Sequence, residues 1–254
     1  MNDKLREFFS ENKKIALAYS GGVDSAYLLA AAIEAGADVT AYMVCTPFQP
    51  AFEIEDAKKT AESLGANLKV LQADTLANEE IVQNKEDRCY HCKNKIFLKI
   101  FETLGTLGDS LIVDGTNFSD DASDRPGMRA LKELGVRSPL RECGIDKAEV
   151  RSSARELGLS CWNKPSYSCL ATRIAAGERI TEERLAEIEC SESFLKGLGF
   201  TDFRVRTYEL TEGKRSAKLE IRADEKGIFA EHKDEILDRL GQVYTDIKVS
   251  EDRA

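Results

Sequence analysis

The chain has 254 residues, of which 42% are hydrophobic and 32% charged, and its formal net charge is −9. This length fits one large domain or a medium and a small one, and no apolar run approaches the roughly 18 residues that a membrane span needs. The acidic balance argues against bulk electrostatic binding of long nucleic acid. The charged N-terminus and the odd number of cysteines, seven, predict a cytoplasmic protein whose thiols are ligands, nucleophiles or core residues.

Strands and helices alternate through the first half of the chain. The elements predicted up to residue 114 are helices over 4–12, 25–35, 52–64 and 93–104, and strands over 15–19, 38–45, 67–72 and 110–114. Strand–helix alternation favours a parallel sheet with right-handed crossovers. Helices over 128–134 and 146–157 follow, the second with Asp146 as N-cap, and residues 160–177 show no clear period.

The pattern changes after Gly177. A helix over 181–198, capped by Thr181, precedes two strands (203–208 and 217–221) around a turn at 211–214, and a helix over 224–240 precedes a strand over 243–249. The fold class predicted is therefore α/β, with a parallel-sheet, Rossmann-like domain at 1–176 and a small α+β domain at 177–254.

A glycine turn joins the first strand to the next helix, and its residues are Ser20, Gly21, Gly22, Val23, Asp24 and Ser25. The glycines let backbone N–H groups approach an anion, Asp24 or Ser25 is expected to cap the helix, and the positive helix end favours a phosphate. The alternative is a capped Gly-Gly turn without a ligand. No Lys-Ser/Thr pair follows at Walker A spacing. The motif resembles the loop of the ATP pyrophosphatase superfamily, whose members cleave ATP between its α- and β-phosphates and adenylylate a substrate oxygen.

A second polar loop, Gly115-Thr116-Asn117, follows the strand that ends at Asp114. Ligands of open α/β sheets lie beyond the carboxyl ends of strands, so this loop and the Ser20 loop are expected to share a crevice. It resembles the second nucleotide-contacting segment of pyrophosphatase-loop enzymes, although a plain Thr/Asn turn is the alternative. Asp120 or Asp121 is a candidate Mg²⁺ ligand or a solvated loop residue.

Cys89-x-x-Cys92 stands just before a predicted helix, with a spacing that suits a zinc knuckle, a redox pair or an iron–sulfur site. Cys169, in the irregular loop, is the third candidate. Three thiolates without an obvious fourth ligand fit a [4Fe–4S] cluster with one open iron, whereas a closed zinc site needs four ligands. His91 lies inside the pair and would strain to be that fourth ligand. The remaining cysteines are expected to be packing residues; they are Cys45, Cys143, Cys161 and Cys190.

Taken together, SGGVDS, Arg88-Cys-Tyr-His-Cys-Lys93, the GTN loop, Lys164-Pro165 and Cys169-Leu-Ala-Thr-Arg173 resemble the LarE family over nearly the whole chain. The resemblance implies ATP-dependent adenylylation of a carboxylate of pyridinium-3,5-biscarboxylic acid mononucleotide, with Mg²⁺, followed by sulfur transfer to a thiocarboxylate in nickel-pincer nucleotide biosynthesis. One branch sacrifices a cysteine matching Cys169. The three-cysteine branch, which this chain resembles, holds a [4Fe–4S] cluster with a bound hydrosulfide, renewed from sulfide or another sulfur donor.

The tail carries Arg204 and Arg206, which strand alternation places on one face. They suit a substrate phosphate or a solvated face paired with Glu220 or Glu209, and the resemblance favours the phosphate. The candidate catalytic residues are Asp24, Cys169 and Arg173. Arg173 is a candidate for substrate contact, and in the three-cysteine branch Cys169 is expected to be a cluster ligand and not the sulfur donor. Further expectations are that Glu192 and Asp224 line the substrate pocket, and that the chain forms a homo-oligomer.

Three other functions fit parts of the pattern. A tRNA-thiolating enzyme also combines such a loop with three cysteines, but the acidity and the lack of an RNA-binding appendage count against it. An ammonia-using, amide-forming synthetase leaves the cysteines unexplained. A nucleotide-binding protein with a structural zinc would contain stoichiometric zinc and release no pyrophosphate.

Overall fold

A computed structural model describes residues 1–105, 109–120, 126–211 and 214–253. The chain divides into two compact units. Unit 1 comprises residues 1–75 and 87–166, and unit 2 comprises residues 76–86 and 167–254. The functional division predicted at residue 176 stays a prediction. Among the described residues, no helix is long and apolar enough to cross a membrane.

Unit 1 contains a parallel sheet of β1 (Lys14–Ala18), β2 (Asp38–Cys45), β3 (Asn67–Gln72) and β4 (Leu111–Asp114). In the described chain its strand order is β3-β2-β1-β4, so the α/β, Rossmann-like fold class is confirmed. Ala18, at the end of β1, pairs with Asp114, at the end of β4. The loops that follow these two strands therefore leave the sheet side by side, at its carboxyl edge.

Strands β1, β2 and β4 are largely buried, so helices cover the sheet around them. The edge strand β3 is mostly exposed. Helix α2 is rich in alanine and leucine and is buried over most of its length, so it packs into the centre of the unit 1 core. The unit 1 helices are α1 (Asp3–Glu11), α2 (Val23–Glu34), α3 (Ala51–Ser63), α5 (Arg88–Leu104), α6 (Pro126–Glu133), α7 (Pro139–Glu142) and α8 (Lys147–Glu156); α4 (Glu79–Val82) belongs to unit 2.

Unit 2 is built on a mixed sheet of β5 (Arg204–Thr211), β6 (Lys214–Arg222) and β7 (Asp246–Arg253). Strand β6 pairs antiparallel with β5 and parallel with β7. Besides α4, its described helices are α9 (Glu182–Gly197), α10 (Lys226–Glu231) and α11 (Lys233–Gly241), and these three pack on a core of their own. The single helix predicted over 224–240 is wrong: a 3₁₀ turn and two helices, broken at His232, occupy that stretch. Residues 212 and 213 of the predicted turn lie outside the described residues.

Residues 76–86 join unit 2 through hydrogen bonds to the stretch at 174–180. The buried Asn84 amide donates to the carbonyl oxygens of Ile174 and Ala175, at 3.3 and 2.8 Å. The backbone of Ile180 donates to Val82 at 2.8 Å. The stretch that leads out of β3 is therefore structurally part of the C-terminal unit.

Candidate functional site

The glycine loop leads into α2, whose N-cap is Gly22, and no side chain caps the helix. The prediction that Asp24 or Ser25 caps it is therefore wrong. The Ser25 hydroxyl instead donates to the Gly22 carbonyl at 3.0 Å and lies 3.2 Å from the Ser20 hydroxyl. Since the first N–H groups of a helix lack intrahelical acceptors, the start of α2 is the end of the helix that attracts an anion.

Gly21 has a φ of +78°, and a Cβ built on it would lie 2.2 Å from the Ala57 Cβ of α3. Tyr19 fixes the same helix by donating from its hydroxyl to the Ala57 carbonyl at 2.9 Å. A Cβ on Gly22 would meet nothing nearer than the Ser20 hydroxyl at 3.5 Å. Gly21 is therefore demanded by packing and backbone conformation, whereas Gly22 leaves the helix end open.

The loop after β4 lies directly against this turn. A Cβ on Gly115 would be 2.8 Å from the Ser25 backbone nitrogen, so only glycine permits the contact. The buried Asp114 carboxylate shapes the loop by accepting from the hydroxyls of Thr116 and Ser138, at 2.5 and 2.6 Å. The structure thus brings the two predicted loops into one crevice.

Asp24 is the point where these segments meet. Its carboxylate accepts from the Asn117 amide at 3.1 Å and forms an ion pair with Lys147, the first residue of α8. Asp120 also lines the cleft, and its carboxylate accepts from the Asn117 backbone at 3.0 Å. Asp121, the other magnesium candidate, lies outside the described residues.

A cleft of about 520 Å³ opens at this edge of unit 1, which is a volume typical of small-molecule sites. One wall carries Lys93, whose stem lies on Gly127 and whose ammonium is 3.8 Å from Asp114. The lining includes polar residues of both loops, an apolar wall and one thiol: Ser20, Asp24, Thr116, Tyr42, Val44, Phe97 and Cys89.

Cys89 and Cys92 lie inside α5, which begins at Arg88, so the expectation that they precede the helix is wrong. Three residues apart on a helix, they share a face, with Cys89 exposed and Cys92 half-buried. The His91 ring contacts Asp87 at 3.2 Å. An Arg88 guanidinium nitrogen lies 3.7 Å from the Cys89 sulfur.

Cys169 belongs to unit 2, where it directly precedes a 3₁₀ turn over Leu170–Arg173 and is half-buried. All seven cysteines are free thiols, and three thiolates are the soft donor set that iron–sulfur clusters use. The donor chemistry of Cys89, Cys92 and Cys169 therefore fits the cluster. Among the residues that the structure describes, no three His, Cys, Asp or Glu side chains are grouped as a metal site.

The turn after Cys169 is held by a buried ion pair. Arg173 binds Glu192 with both fork nitrogens, at 2.8 and 3.0 Å, and neither side chain is exposed. Glu192 also accepts from the Val205 backbone at 2.8 Å and from the Tyr167 hydroxyl. Burial, and then the Glu192 charge, raises the pKa of Tyr167, so the phenol stays a donor. This geometry favours a positioning role for Arg173.

Both arginines of β5 reach the Cys169 segment. Arg204 is buried and donates to the Ser168 hydroxyl at 3.3 Å. Arg206 donates to the Thr172 carbonyl and to the Glu220 carboxylate, each at 2.9 Å.

Two other acidic side chains of unit 2 are paired with arginines, Glu220 with Arg206 and Asp224 with Arg222. Burial alone would raise the pKa of Glu220, but hydrogen bonds from Arg206 and Lys218 outweigh it and lower that pKa. Asp224, predicted to line the pocket, is exposed and paired with Arg222 at 2.8 Å.

The other four cysteines differ in how far they are buried. Cys45 and Cys161 are buried and Cys143 is half-buried, and burial raises the pKa of each thiol. Cys190 is exposed and accepts from Arg239 at 3.3 Å, so it does not fill a core.

Sequence reasoning missed the partners of the site residues, above all Lys147 and Tyr167. Lys147 is 123 positions from Asp24, and a lysine at the start of an amphipathic helix carries no signal of its own. Lys164 belongs to a recognisable sequence motif, but the motif does not reveal its partners. Its ammonium binds Glu53 and Asp56 of α3, at 2.8 and 2.9 Å.

The fold and the crevice define a class: a Rossmann-like α/β protein with a Gly-Gly turn between its first strand and second helix. Residues 13–133 match the model of a family of unknown function (DUF7411). A protein of Lactiplantibacillus plantarum named pyridinium-3,5-bisthiocarboxylic acid mononucleotide synthase is 33% identical over 76% of this chain and 71% of its own length. The chain belongs to that protein's family, the LarE family.

Two further relatives carry the similarity across bacteria and archaea. The uncharacterized protein slr1717 of Synechocystis is 38% identical over 81% of this chain and 77% of its own length. The uncharacterized protein MJ0830 of Methanocaldococcus jannaschii is 34% identical over 94% of this chain and 89% of its own. The latter match spans both units.

Proposed function

We propose that the protein is an ATP-dependent sulfurtransferase that converts a carboxylate of pyridinium-3,5-biscarboxylic acid mononucleotide into a thiocarboxylate. The observation that carries the proposal is the relationship to the Lactiplantibacillus synthase, which extends over three-quarters of the chain. The open helix end beside the cleft of unit 1 supports it, because a nucleotide triphosphate needs such an anion site.

The first step forms a bond between a substrate carboxylate oxygen and the α-phosphorus of ATP. The bond from that phosphorus to the β-phosphate oxygen breaks, and pyrophosphate leaves. In this proposal Ser20 to Ser25 hold the phosphates, and Gly115 and Thr116 approach the nucleotide. Mg²⁺ accompanies ATP as part of that substrate.

The second step replaces AMP by sulfur at the activated acyl carbon, leaving a thiocarboxylate and AMP. When bound to Cys89, Cys92 and Cys169, a [4Fe–4S] cluster would supply the sulfur, which sulfide renews. In unit 2, the Arg173–Glu192 pair fixes the turn that carries Cys169, and Arg204 with Arg206 binds the substrate phosphate. Free thiols are typical of proteins that act in a reducing compartment such as the cytoplasm.

The loop assignment is tested by pyrophosphate release with the substrate mononucleotide, in wild type and in Ser20→Ala and Asp24→Ala. Both variants are expected to lose release while keeping the unfolding midpoint of the wild type within a few degrees. Turnover at the wild-type rate in both variants would remove the phosphates from this loop.

Iron and acid-labile sulfide content after anaerobic reconstitution tests the cysteines, in wild type and in Cys89→Ala, Cys92→Ala and Cys169→Ala. About four irons per chain are expected in the wild type. Each of the three variants should lose iron, whereas Cys190→Ala, the control at an exposed cysteine, should keep the wild-type iron content. Zinc or no metal in the wild type would exclude the cluster and leave Cys169 as a sacrificial sulfur donor.

A further inference from the structure

We infer that Tyr167 is a positioning residue whose ring holds the Arg204 guanidinium in the orientation that meets the substrate phosphate. This inference rests on the proposed function, and it deepens the phosphate site of unit 2. It is carried by two cations on one ring. The guanidinium carbon of Arg204 lies over the Tyr167 ring, 5.3 Å from its centroid, and that of Arg173 lies over the same ring at 4.5 Å.

The hydroxyl end of Tyr167 fixes where this ring lies. It donates to Glu192, whose side chain is fully buried. The same carboxylate accepts from both fork nitrogens of Arg173 and from the backbone of Val205, the residue after Arg204 on β5. The ring is therefore anchored to the strand that carries Arg204, and it cannot turn away without giving up a hydrogen bond to a buried charge.

The Arg204 side chain also makes contacts with its neighbours in the chain and with Ser168. It is 6% exposed, lies 3.8 Å from Asp202 and donates to the Phe203 carbonyl at 2.9 Å. Its bond to the Ser168 hydroxyl is long, at 3.3 Å, and Ser168 is exposed. A phosphate oxygen that replaces this hydroxyl would meet a guanidinium whose orientation the ring has already set, so binding costs less side-chain entropy.

The charges favour an aromatic residue at this position. The negative face of an aromatic ring attracts a guanidinium, and the attraction grows when the contact is withdrawn from water. The charge of Arg173, over the same ring, is matched by Glu192 at 2.8 Å. An aliphatic side chain of similar size in place of Tyr167 would fill the space and leave Arg204 without this attraction.

The experiment measures binding of two ligands to the full chain: pyridinium-3,5-biscarboxylic acid mononucleotide and the corresponding nucleoside, which lacks the phosphate. The readout is the ratio of the two dissociation constants, because partial unfolding of a variant weakens both equally and cancels. We expect Tyr167→Leu to reduce the preference for the mononucleotide about five- to thirtyfold, as for a lost cation–π contact. Tyr167→Phe keeps the ring and should stay within about threefold of the wild-type ratio. Tyr208→Leu, at an exposed tyrosine of the same strand, is the control and should leave the ratio unchanged.

A double-variant cycle tests whether Tyr167 acts through Arg204. In an Arg204→Met background, where the phosphate contact is already lost, adding Tyr167→Leu should change the ratio less than about twofold. A full further loss in that background would assign the effect to another group and refute the inference.

The other outcomes separate the inference from the proposed function. A wild-type ratio in Tyr167→Leu would refute the inference and leave the proposed function intact. An equal loss in Tyr167→Phe would assign the effect to the hydroxyl, which also refutes the role of the ring. A wild type that binds neither the mononucleotide nor the nucleoside would refute the proposed function, and this inference with it.

Discussion

Two adjacent glycines of the phosphate loop face different physical demands. Gly21 combines a positive φ with direct contact on Ala57, while Gly22 has an ordinary extended backbone and space around its Cα. Gly21→Ala is expected to lower the free energy of unfolding by about 2 kcal/mol or more, since overpacking and a left-handed alanine each cost roughly 1 kcal/mol or more. Urea unfolding measures it, with Gly22→Ala as the matched control, expected to change stability by less than about 1 kcal/mol. Equal losses in the two variants would contradict this account.

The next prediction concerns the buried ion pair between Arg173 and Glu192. Removing one partner leaves a buried charge without compensation, which costs about 3–5 kcal/mol. The loss in free energy of unfolding for Arg173→Met and for Glu192→Met, measured by chemical denaturation, should lie in that range. The double variant should lose clearly less than the sum of the two, because it leaves no lone charge. Additive losses, or single losses under about 1 kcal/mol, would show that the two side chains are not coupled.

For single residues, the sequence predicts the motifs but not the distant side chains that pair with them. The Ser20–Ser25 loop is recognisable because its glycines and polar residues are contiguous and follow an apolar strand. The predicted cap is wrong because the helix already begins at Val23, which makes Gly22 the N-cap, and Asp24 pairs instead with Asn117 and Lys147, more than 90 positions away. Long-range pairing of this kind leaves no periodic trace in a sequence.

At the scale of secondary-structure elements, Asn84 is an important link between the stretch at 76–86 and the rest of unit 2. Asn84 has a positive φ of 54° and donates two hydrogen bonds, to the carbonyls of Ile174 and Ala175. Asn84→Ala should cost about 2–4 kcal/mol, combining the lost hydrogen bonds with backbone strain. Asn84→Gly should cost less, because glycine accepts this conformation, and the difference measures the strain.

The measurement for Asn84 is urea unfolding, with Asn67→Ala as control. The Asn67 amide binds the Thr40 hydroxyl in an exposed position, so its loss should cost under about 1 kcal/mol. If Asn84→Gly were as damaging as Asn84→Ala, backbone strain would contribute nothing at this position.

A pH dependence follows from the cross-strand contact of Arg206 with Glu220. The pKa of Glu220 is lowered in the folded chain, so the carboxylate stabilises the fold above the usual glutamate pKa of about 4.3, and this contribution is lost as the pH falls through the lowered value. The stability difference between wild type and Glu220→Gln should therefore be constant near neutral pH and vanish in acid. At a partly exposed site it should reach at most about 1 kcal/mol.

The matched control for that pH series is Glu209→Gln, on the neighbouring part of β5. Glu209 was an equal candidate partner from the sequence, but the structure pairs Arg206 with Glu220. The stability difference for Glu209→Gln should show no such acid-dependent loss. The same pH profile in both variants would remove Glu220 as the specific partner.

Element boundaries were predictable where hydrophobic periodicity is strong. The strands at 38–45 and 67–72 are confirmed to the residue. The sequence does not predict the start of α5, because Arg88 to Cys92 carries polar and sulfur side chains without an apolar repeat. Nor does it predict the break at His232 within residues 224–240. Both failures have the same cause. Where the helix or strand propensity of a residue is weak, tertiary contacts determine its secondary structure.

At the scale of the whole molecule, the sequence predicts an α/β portion and an α+β tail because the order of elements changes after Gly177. It does not predict that residues 76–86 belong with the tail, since that depends on hydrogen bonds across about 90 positions. The predicted homo-oligomer stays a prediction, which the mass of the full chain in solution would test.

The proposed function divides its ligands between the two units, and hydrogen exchange on the intact chain tests that division. MgATP should slow amide exchange in the glycine loop and the start of α2, because bound phosphates occupy those N–H groups. The substrate mononucleotide should slow exchange in the Cys169 segment and β5, where Arg204 and Arg206 lie. Asp24→Ala should abolish the response to ATP and keep the response to the mononucleotide, since the two sites draw on different residues. Protection of β5 by ATP alone, with no change in the glycine loop, would instead assign the nucleotide to unit 2.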